Sequence, residues 1–293
     1  MTLDELAAEA PFALPLQVPE WTLGAWKRRC ITYANGHEDP LTDVIWIQSH
    51  GLTGDFRAPA WRPGTEGRSG LGDFSAQELV ELACAEGGVA QTGWSGDAMR
   101  WENWCSFQPY DKWPEPGRLE RVGTCLVEWA PSGIYVEDWR LLPGSAGVCA
   151  GLRLVSETVG GVERPRDGGL VRCGDHLILT LGRLEPLEDG APAQAQLGLG
   201  AGRVFGALVA YARADAAGWR VELSTDRFLE GARLEGLDGF SRSGEDEIVQ
   251  VSGEMVRRWR IDTLRTDLEV SPKTPATAEG QAWLQREGGV LLR

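Results

Sequence analysis

An all-β, mainly antiparallel fold is what this 293-residue chain predicts. Three observations point there. Short runs rich in β-branched and aromatic residues, with a two-residue period, follow one another along most of the chain. Gly, Pro, Asp and Asn punctuate them at short intervals, as the turns of a sandwich or barrel require. Only one well-marked helix interrupts the series, whereas parallel strands would need a crossover helix between them.

In chain order, Thr2 followed by Glu5 has the form of a capping box, which predicts a one- or two-turn helix over TLDELAAEA, ended by Pro11, Pro15 and Pro19. The strand-like runs then begin: WKRRCITYAN, DVIWIQSH, TGDFRAP, GVAQTGW, AMRWENWCSF, RLERVGTCLVEWA, GIYVEDWRLL and GVCAGLRLVSET. The helix inside this series is SAQELVELACAEGG, with Ser75 as N-cap, Glu78 at the capping-box position, Leu79, Leu82 and Ala83 as its apolar stripe, and Gly87 and Gly88 as its stop. Residues 158–169, where two glycine pairs enclose a charged, proline-containing stretch, read as a domain boundary. A second β-rich series follows, interrupted by the low-complexity loop EPLEDGAPAQAQLGLGAG. The tail predicts a short closing helix and a last strand. The organisation is therefore an N-terminal tether over 1–20, a first β unit over 21–160 and a second over 161–293. Both units share a rhythm of short strands with tryptophans placed late, which suggests two related barrels.

Charge narrows the partners. With 43 acidic against 29 basic residues, the formal net charge is -14, a field that repels phosphate backbones and anionic lipid surfaces. Neither nucleic acid nor membrane is expected as a partner. The first residues carry no basic leader and no signal-length apolar core, so a cytoplasmic location is expected. The six cysteines contain no C-x-x-C spacing, and several sit in apolar runs, which reads as buried free thiols. Three scattered histidines, His37, His50 and His176, give no basis for a metal site, and no cofactor motif stands out. Gly198, Gly200 and Gly202 follow a polar loop rather than a strand and lack the third glycine of a dinucleotide fingerprint, so they read as flexible loop.

The stretch VEWAPSGIYVEDWRLLPG, residues 127–144, holds the main candidates. In its second run the face Tyr135, Glu137, Trp139, Leu141 is largely apolar and carries one carboxylate, while Ile134, Val136, Asp138, Arg140 reads as an outer face. If the first face points inward, Glu137 is a buried charge that must find a partner or take up a proton. Arg57, sharing a strand face with Asp55, is the expected partner; an exposed cross-strand ion pair is the alternative. Aromatic density adds a second signal: Trp94, Trp101, Trp104, Trp113, Trp129 and Trp139 crowd the later part of the first unit, as pocket walls or as core filling.

These same segments resemble a known family. VIWIQSHGLTGDFRAP, MRWENWCSFQPYDKWPEPGRLE and CLVEWAPSGIYVEDWRLL are similar to the two-barrel calycins typified by a fungal casein-kinase-interacting protein, with bacterial relatives. The resemblance is strongest over residues 43–142. Trp46, Gln48, Asp55, Arg57, Trp101, Gln108, Pro109, Glu128, Tyr135, Glu137 and Trp139 occupy matching positions, while Trp129–Pro131 and Trp104 depart from the pattern. The resemblance implies two tandem lipocalin-like barrels. The expectation is a ligand-binding calycin that takes a small, mostly apolar molecule in the first barrel, with Arg57, Trp101, Trp104, Tyr135, Trp139 and Gln48 as contacts. The alternatives are an enzyme of isomerase, cyclase or hydrolase type using Glu137 or Glu128 as acid or base, and an interaction module with filled barrels.

Overall fold

The computed structural model describes residues 1–109 and 114–291. Eight antiparallel strands form a closed up-and-down barrel: β1 (Gly24–Tyr33), β2 (Asp43–Gln48), β3 (Leu52–Ala58), β4 (Glu86–Ser95), β5 (Ala98–Ser106), β6 (Gly117–Val122), β7 (Cys125–Trp129) and β8 (Tyr135–Leu141). Each pairs with the next, and β8 returns to β1. Closure leaves no free sheet edge to template aggregation. One seam is short: among the described residues β5 and β6 share the pairs Ala98↔Arg118 and Met99↔Gly117, and the rest of β5 is paired with β4 alone.

The second half of the chain builds one large antiparallel sheet from β9 (Gly147–Val159), β10 (Gly168–Cys173), β11 (His176–Leu181), β12 (Leu208–Asp215), β13 (Gly218–Ser224), β14 (Phe240–Arg242), β15 (Glu247–Ser252) and β16 (Met255–Leu268). Their order is β13-β12-β11-β10-β9-β16-β15-β14, with Phe12–Ala13 added to β16 and Val162–Arg164 added to β9. Among the described residues no pairing joins β13 to β14. This sheet is open, so strand pairing closes a barrel only in the first half.

Several boundaries differ from the expected ones. The run at 147–159 belongs to the second sheet, paired with β10 and β16, so the change of sheet falls between Leu141 and Gly147. Residues 158–169, expected as a linker, form the turn and return of the β9 hairpin. The N-terminal segment is no loose tether. Helix α1 (Leu3–Glu9) starts at the expected capping box, buries Leu3, Leu6 and Ala7 beside Phe240 and Trp259, and ties Asp4 to both terminal nitrogens of Arg172 at 2.7 and 2.8 Å. Helix α2 (Ala76–Leu82) is capped by Ser75 and Glu78 but ends before the glycines, which open β4. The glycine-rich loop condenses into a 3-10 turn at Ala193–Leu199 and a short helix α3 (Ala201–Val204). The expected last strand is absent from the described tail, where α4 (Ala278–Leu291) continues instead. Of the cysteines, Cys105, Cys149 and Cys173 are buried, while Cys84 is exposed and Cys30 and Cys125 are partly so.

The two sheets share one hydrophobic core, which runs from Trp26, Trp46 and Trp139 inside the barrel to Val171, Ile178 and Tyr211 of the second sheet. Two strand glycines permit this close approach. A Cβ on Gly54 would meet Ile178 at 3.0 Å, and one on Gly169 would meet Val89 at 2.8 Å. The barrel is therefore held by packing along one flank, and its interior is positioned against the loops that follow β9 and β11.

Candidate functional site

Inside the barrel lies a cavity of about 720 Å³, within the range of small-molecule sites. Strand alternation decides what faces it. On β3 the set Thr53, Asp55, Arg57 lines the cavity, and on β8 the set Tyr135, Glu137, Trp139 does so, each two residues apart. Ten of the eleven positions that carry the family resemblance line it; Gln48 does not. The Gln48 amide instead donates to Ser49 O, Leu52 O and Thr92 Oγ1, closing the end of the β2–β3 hairpin. Trp101 and Trp104 both line the cavity although three residues apart. The register of β4 and β5 shifts between Val89 and Gln91, and Asn103 takes a left-handed φ of 53°, so a bulge resets the alternation between the two indoles. Trp113 lies outside the described residues.

The polar heart of the site is a carboxylate pair. Glu128 on β7 and Glu137 on β8 are direct cross-strand partners, 6% and 2% exposed. Their surroundings differ. Glu137 is clasped by Arg28 on β1, Nη1 to Oε1 at 2.8 Å, with Arg57 Nη1 farther off at 3.9 Å. Arg57 serves Asp55, donating from Nε at 3.0 Å. The expected Arg57–Glu137 anchor is thus mainly an Arg28–Glu137 clasp, and Arg28 also reaches Asp39 at 3.1 Å.

Arg28 went unnoticed in the sequence because β1 carries a register shift opposite Asp138/Trp139, where Arg29 is bulged out. Its signal was present in part: Arg28 is two residues from the buried Trp26 and shares its face.

Glu128 has no arginine or lysine within ion-pair distance among the described residues. It accepts a hydrogen bond from the Tyr135 hydroxyl at 3.0 Å. Burial, and then the Glu137 charge, push its carboxyl up to about 8. Burial also raises Asp55, partly offset by Arg57. Tyr135 is raised by burial and by both glutamates, so it stays a donor. Cys105 also lines the cavity, but burial pushes its thiol up to about 12, which leaves it a poor nucleophile.

Aromatic rings wall the site. Trp46 stacks on Trp26 with centroids 6.2 Å apart and meets Trp139 edge-on at 5.6 Å. The Trp46 indole N–H donates to Thr53 Oγ1 at 2.6 Å, whereas that of Trp139, a residue 1% exposed, has no hydrogen-bond partner among the described residues. Gly117 makes room for the rest: a Cβ there would lie 2.7 Å from Glu128 Oε1 and 2.9 Å from the Trp101 ring. Gly117→Ala is therefore expected to destabilise the protein by about 1–3 kcal/mol, the usual cost of overpacking, and to shift Trp101 emission. Urea unfolding and tryptophan fluorescence check this.

The mouth comes from segments far apart in the chain that no local pattern joins. Pro165 and Asp167 belong to the stretch that reads as a linker, and Arg183, Leu184, Pro186, Leu187 and Asp189 to the turn and loop after β11. Gln108 pins that loop, donating to Ala83 O and Ala85 O while accepting from Ala193 N at 2.9 Å. No local periodicity marks such contacts. Among the described residues no group of three or more His, Cys, Asp or Glu side chains is arranged to hold a metal ion.

Comparisons with protein-family models, with curated proteins and with solved structures return no match for this chain.

Proposed function

We propose that this chain is a calycin-type binding protein that takes a small, largely apolar molecule in its first barrel. The cavity carries the reading: about 720 Å³ of space inside a closed barrel, walled by indoles and holding a buried carboxylate pair. A module with filled barrels would have no use for that space. Trp101, Trp104, Tyr135 and Trp139 serve as walls, with Glu137, Arg57 and the added Arg28 as a rigid polar floor. The up-and-down order of the second sheet supports kinship with a barrel opened between β13 and β14, and so a tandem calycin ancestry. A net charge of -14 weighs against nucleic acid and anionic membrane as partners. No described helix is long and apolar enough to cross a membrane. A cytoplasmic setting fits Cys149 and Cys173, free thiols 4.0 Å apart on paired strands.

The test is a titration with N-phenyl-1-naphthylamine, an uncharged apolar fluorophore. Saturable 1:1 binding in the micromolar range, with quenching of tryptophan emission, is expected, weakened at least tenfold in Trp101→Ala. Failure of the folded protein to bind the probe or any other small apolar molecule would refute the reading.

A second reading has its own observation. Glu128 faces the cavity without an ion pair to any described arginine or lysine, held by a tyrosine and pushed up to about 8 despite the opposing charge of Arg57, which is the condition of a general acid at neutral pH. On that reading Glu128 delivers or takes a proton in an isomerase-, cyclase- or hydrolase-type reaction, and the clasped Glu137 only tunes it. Turnover that vanishes in Glu128→Gln while ligand binding persists would favour it.

A further inference from the structure

We infer, resting on the reading that the barrel binds a small molecule, that its ligand is an amphipathic monocarboxylate whose carboxylate pairs with Arg183 at the mouth while its apolar body lies among the indoles. The charges around the cavity single out Arg183. Of the acids that line it, Asp55 pairs with Arg57, Glu137 with Arg28 and Asp167 with Arg153. Glu86 is engaged in an interaction of its own, Glu128 holds a proton at neutral pH, and Asp189 is exposed at the rim, where water and salt screen it. Each lining acid is thus paired, engaged, protonated or solvated. The lining arginines are Arg57 and Arg183, and Arg183 has no carboxylate within ion-pair distance among the described residues.

Arg183 is also held in place before any ligand arrives. Its Nε and Nη2 both donate to Val204 O, at 2.9 and 2.6 Å, and its guanidinium carbon stands 4.8 Å from the centroid of the Phe107 ring. One backbone carbonyl and one ring face fix the plane of the fork, and Nη1 makes no hydrogen bond to a described residue. Burial pulls the guanidinium down to about 10, which leaves it charged at neutral pH. The one group whose charge would act against that burial is the Cys105 thiol, and burial pushes that thiol up to about 12, so it stays neutral. A partly desolvated cation without a counter-charge is costly. A carboxylate supplies the charge and, with its two oxygens, the acceptors that a fixed guanidinium fork recognises best.

Number and position narrow the class further. One guanidinium neutralises one negative charge, and Glu86, Asp167 and Asp189 also line the cavity, so a phosphate dianion would bring excess charge towards carboxylates. A neutral amphiphile would leave Arg183 unpaired, and an ammonium ion would meet it with like charge. Arg183 follows β11 in the loop that walls the mouth, whereas the indoles of Trp101, Trp104 and Trp139 line the barrel itself. The head group therefore stays near solvent, and the apolar body extends inward past the indoles. At the far end it meets Glu128 in its neutral form and the Tyr135 hydroxyl, not a free charge.

Isothermal titration calorimetry at pH 7 with three probes of one chain length tests this: decanoate, decan-1-ol and decylammonium. An apolar pocket without a cation would favour the alcohol, because a carboxylate loses more hydration on entry. Decanoate is instead expected to bind at least about tenfold more tightly than decan-1-ol, and decylammonium most weakly. Arg183→Met, its fold checked by near-UV circular dichroism, is expected to reverse the order of decanoate and decan-1-ol. If decan-1-ol or decylammonium binds the parent protein as tightly as decanoate, the inference is overturned while ligand binding stands, whatever the variant does. If folded Arg183→Met keeps the parent's preference for decanoate, Arg183 is not the anchor and the inference is equally overturned. If none of the three binds and N-phenyl-1-naphthylamine also fails to bind, the binding reading falls with it.

Discussion

Replacing Arg28 with methionine is expected to destabilise the protein by about 3–5 kcal/mol, the range for leaving one partner of a buried ion pair without the other. Glu137 is 2% exposed, and its clasp is the single contact at 2.8 Å from Arg28. Arg57, at 3.9 Å and bonded to Asp55, is too far and too engaged to replace it. Adding Glu137→Gln to Arg28→Met removes the unpaired charge, so the double variant should be less destabilised than the sum of the two singles. Urea unfolding of the four proteins at pH 5 and 8 measures the cycle. Additive singles would show that the clasp contributes nothing.

The second large effect concerns Glu128 and pH. Its carboxyl is pushed up to about 8, by burial first and by the Glu137 charge second. In the unfolded chain it returns to the ordinary glutamate range near 4.5. Below that range both states hold the proton and no stability is lost. Between the two values the unfolded chain has released its proton while the folded protein still holds it. Stability therefore falls by about 1.4 kcal/mol for each pH unit, on the order of 5 kcal/mol in all, and levels off above about 8. Glu128→Gln keeps the acceptor for Tyr135 and has no proton to lose. The variant should match the parent near pH 4 and exceed it by several kcal/mol at pH 9. Chemical denaturation across that range decides it, and parallel stability curves for the two proteins would show that Glu128 titrates normally.

Much of the site was legible because strand alternation is a strong local signal. The face Tyr135, Glu137, Trp139 lines the cavity, as does the face containing Asp55 and Arg57. Three things were hidden for physical reasons. Bulges break the two-residue period, and they lie at Arg29, beside Arg28, and at Asn103, between Trp101 and Trp104. Long-range partners leave no local trace, so the choice of Arg28 rather than Arg57 for Glu137 depends on barrel closure between β1 and β8. Loops that wall the mouth looked like linker and low-complexity sequence because their apolar residues, Leu184 and Leu187, serve a neighbouring unit rather than a periodic face of their own. The point where the chain changes sheet, between Leu141 and Gly147, was hidden for a related reason. Gly160 and Gly161 mark a hairpin turn within the second sheet while Gly168 and Gly169 open β10, and glycine signals a turn without saying whether the chain changes sheet there.

A crystal structure of the protein grown with N-phenyl-1-naphthylamine tests most directly that the first barrel is a ligand site. The account predicts the aromatic probe inside the barrel, between Trp101, Trp104, Tyr135 and Trp139, with Glu137 still clasped by Arg28. A probe bound only outside the barrel, or a barrel interior filled by its own side chains, would contradict it.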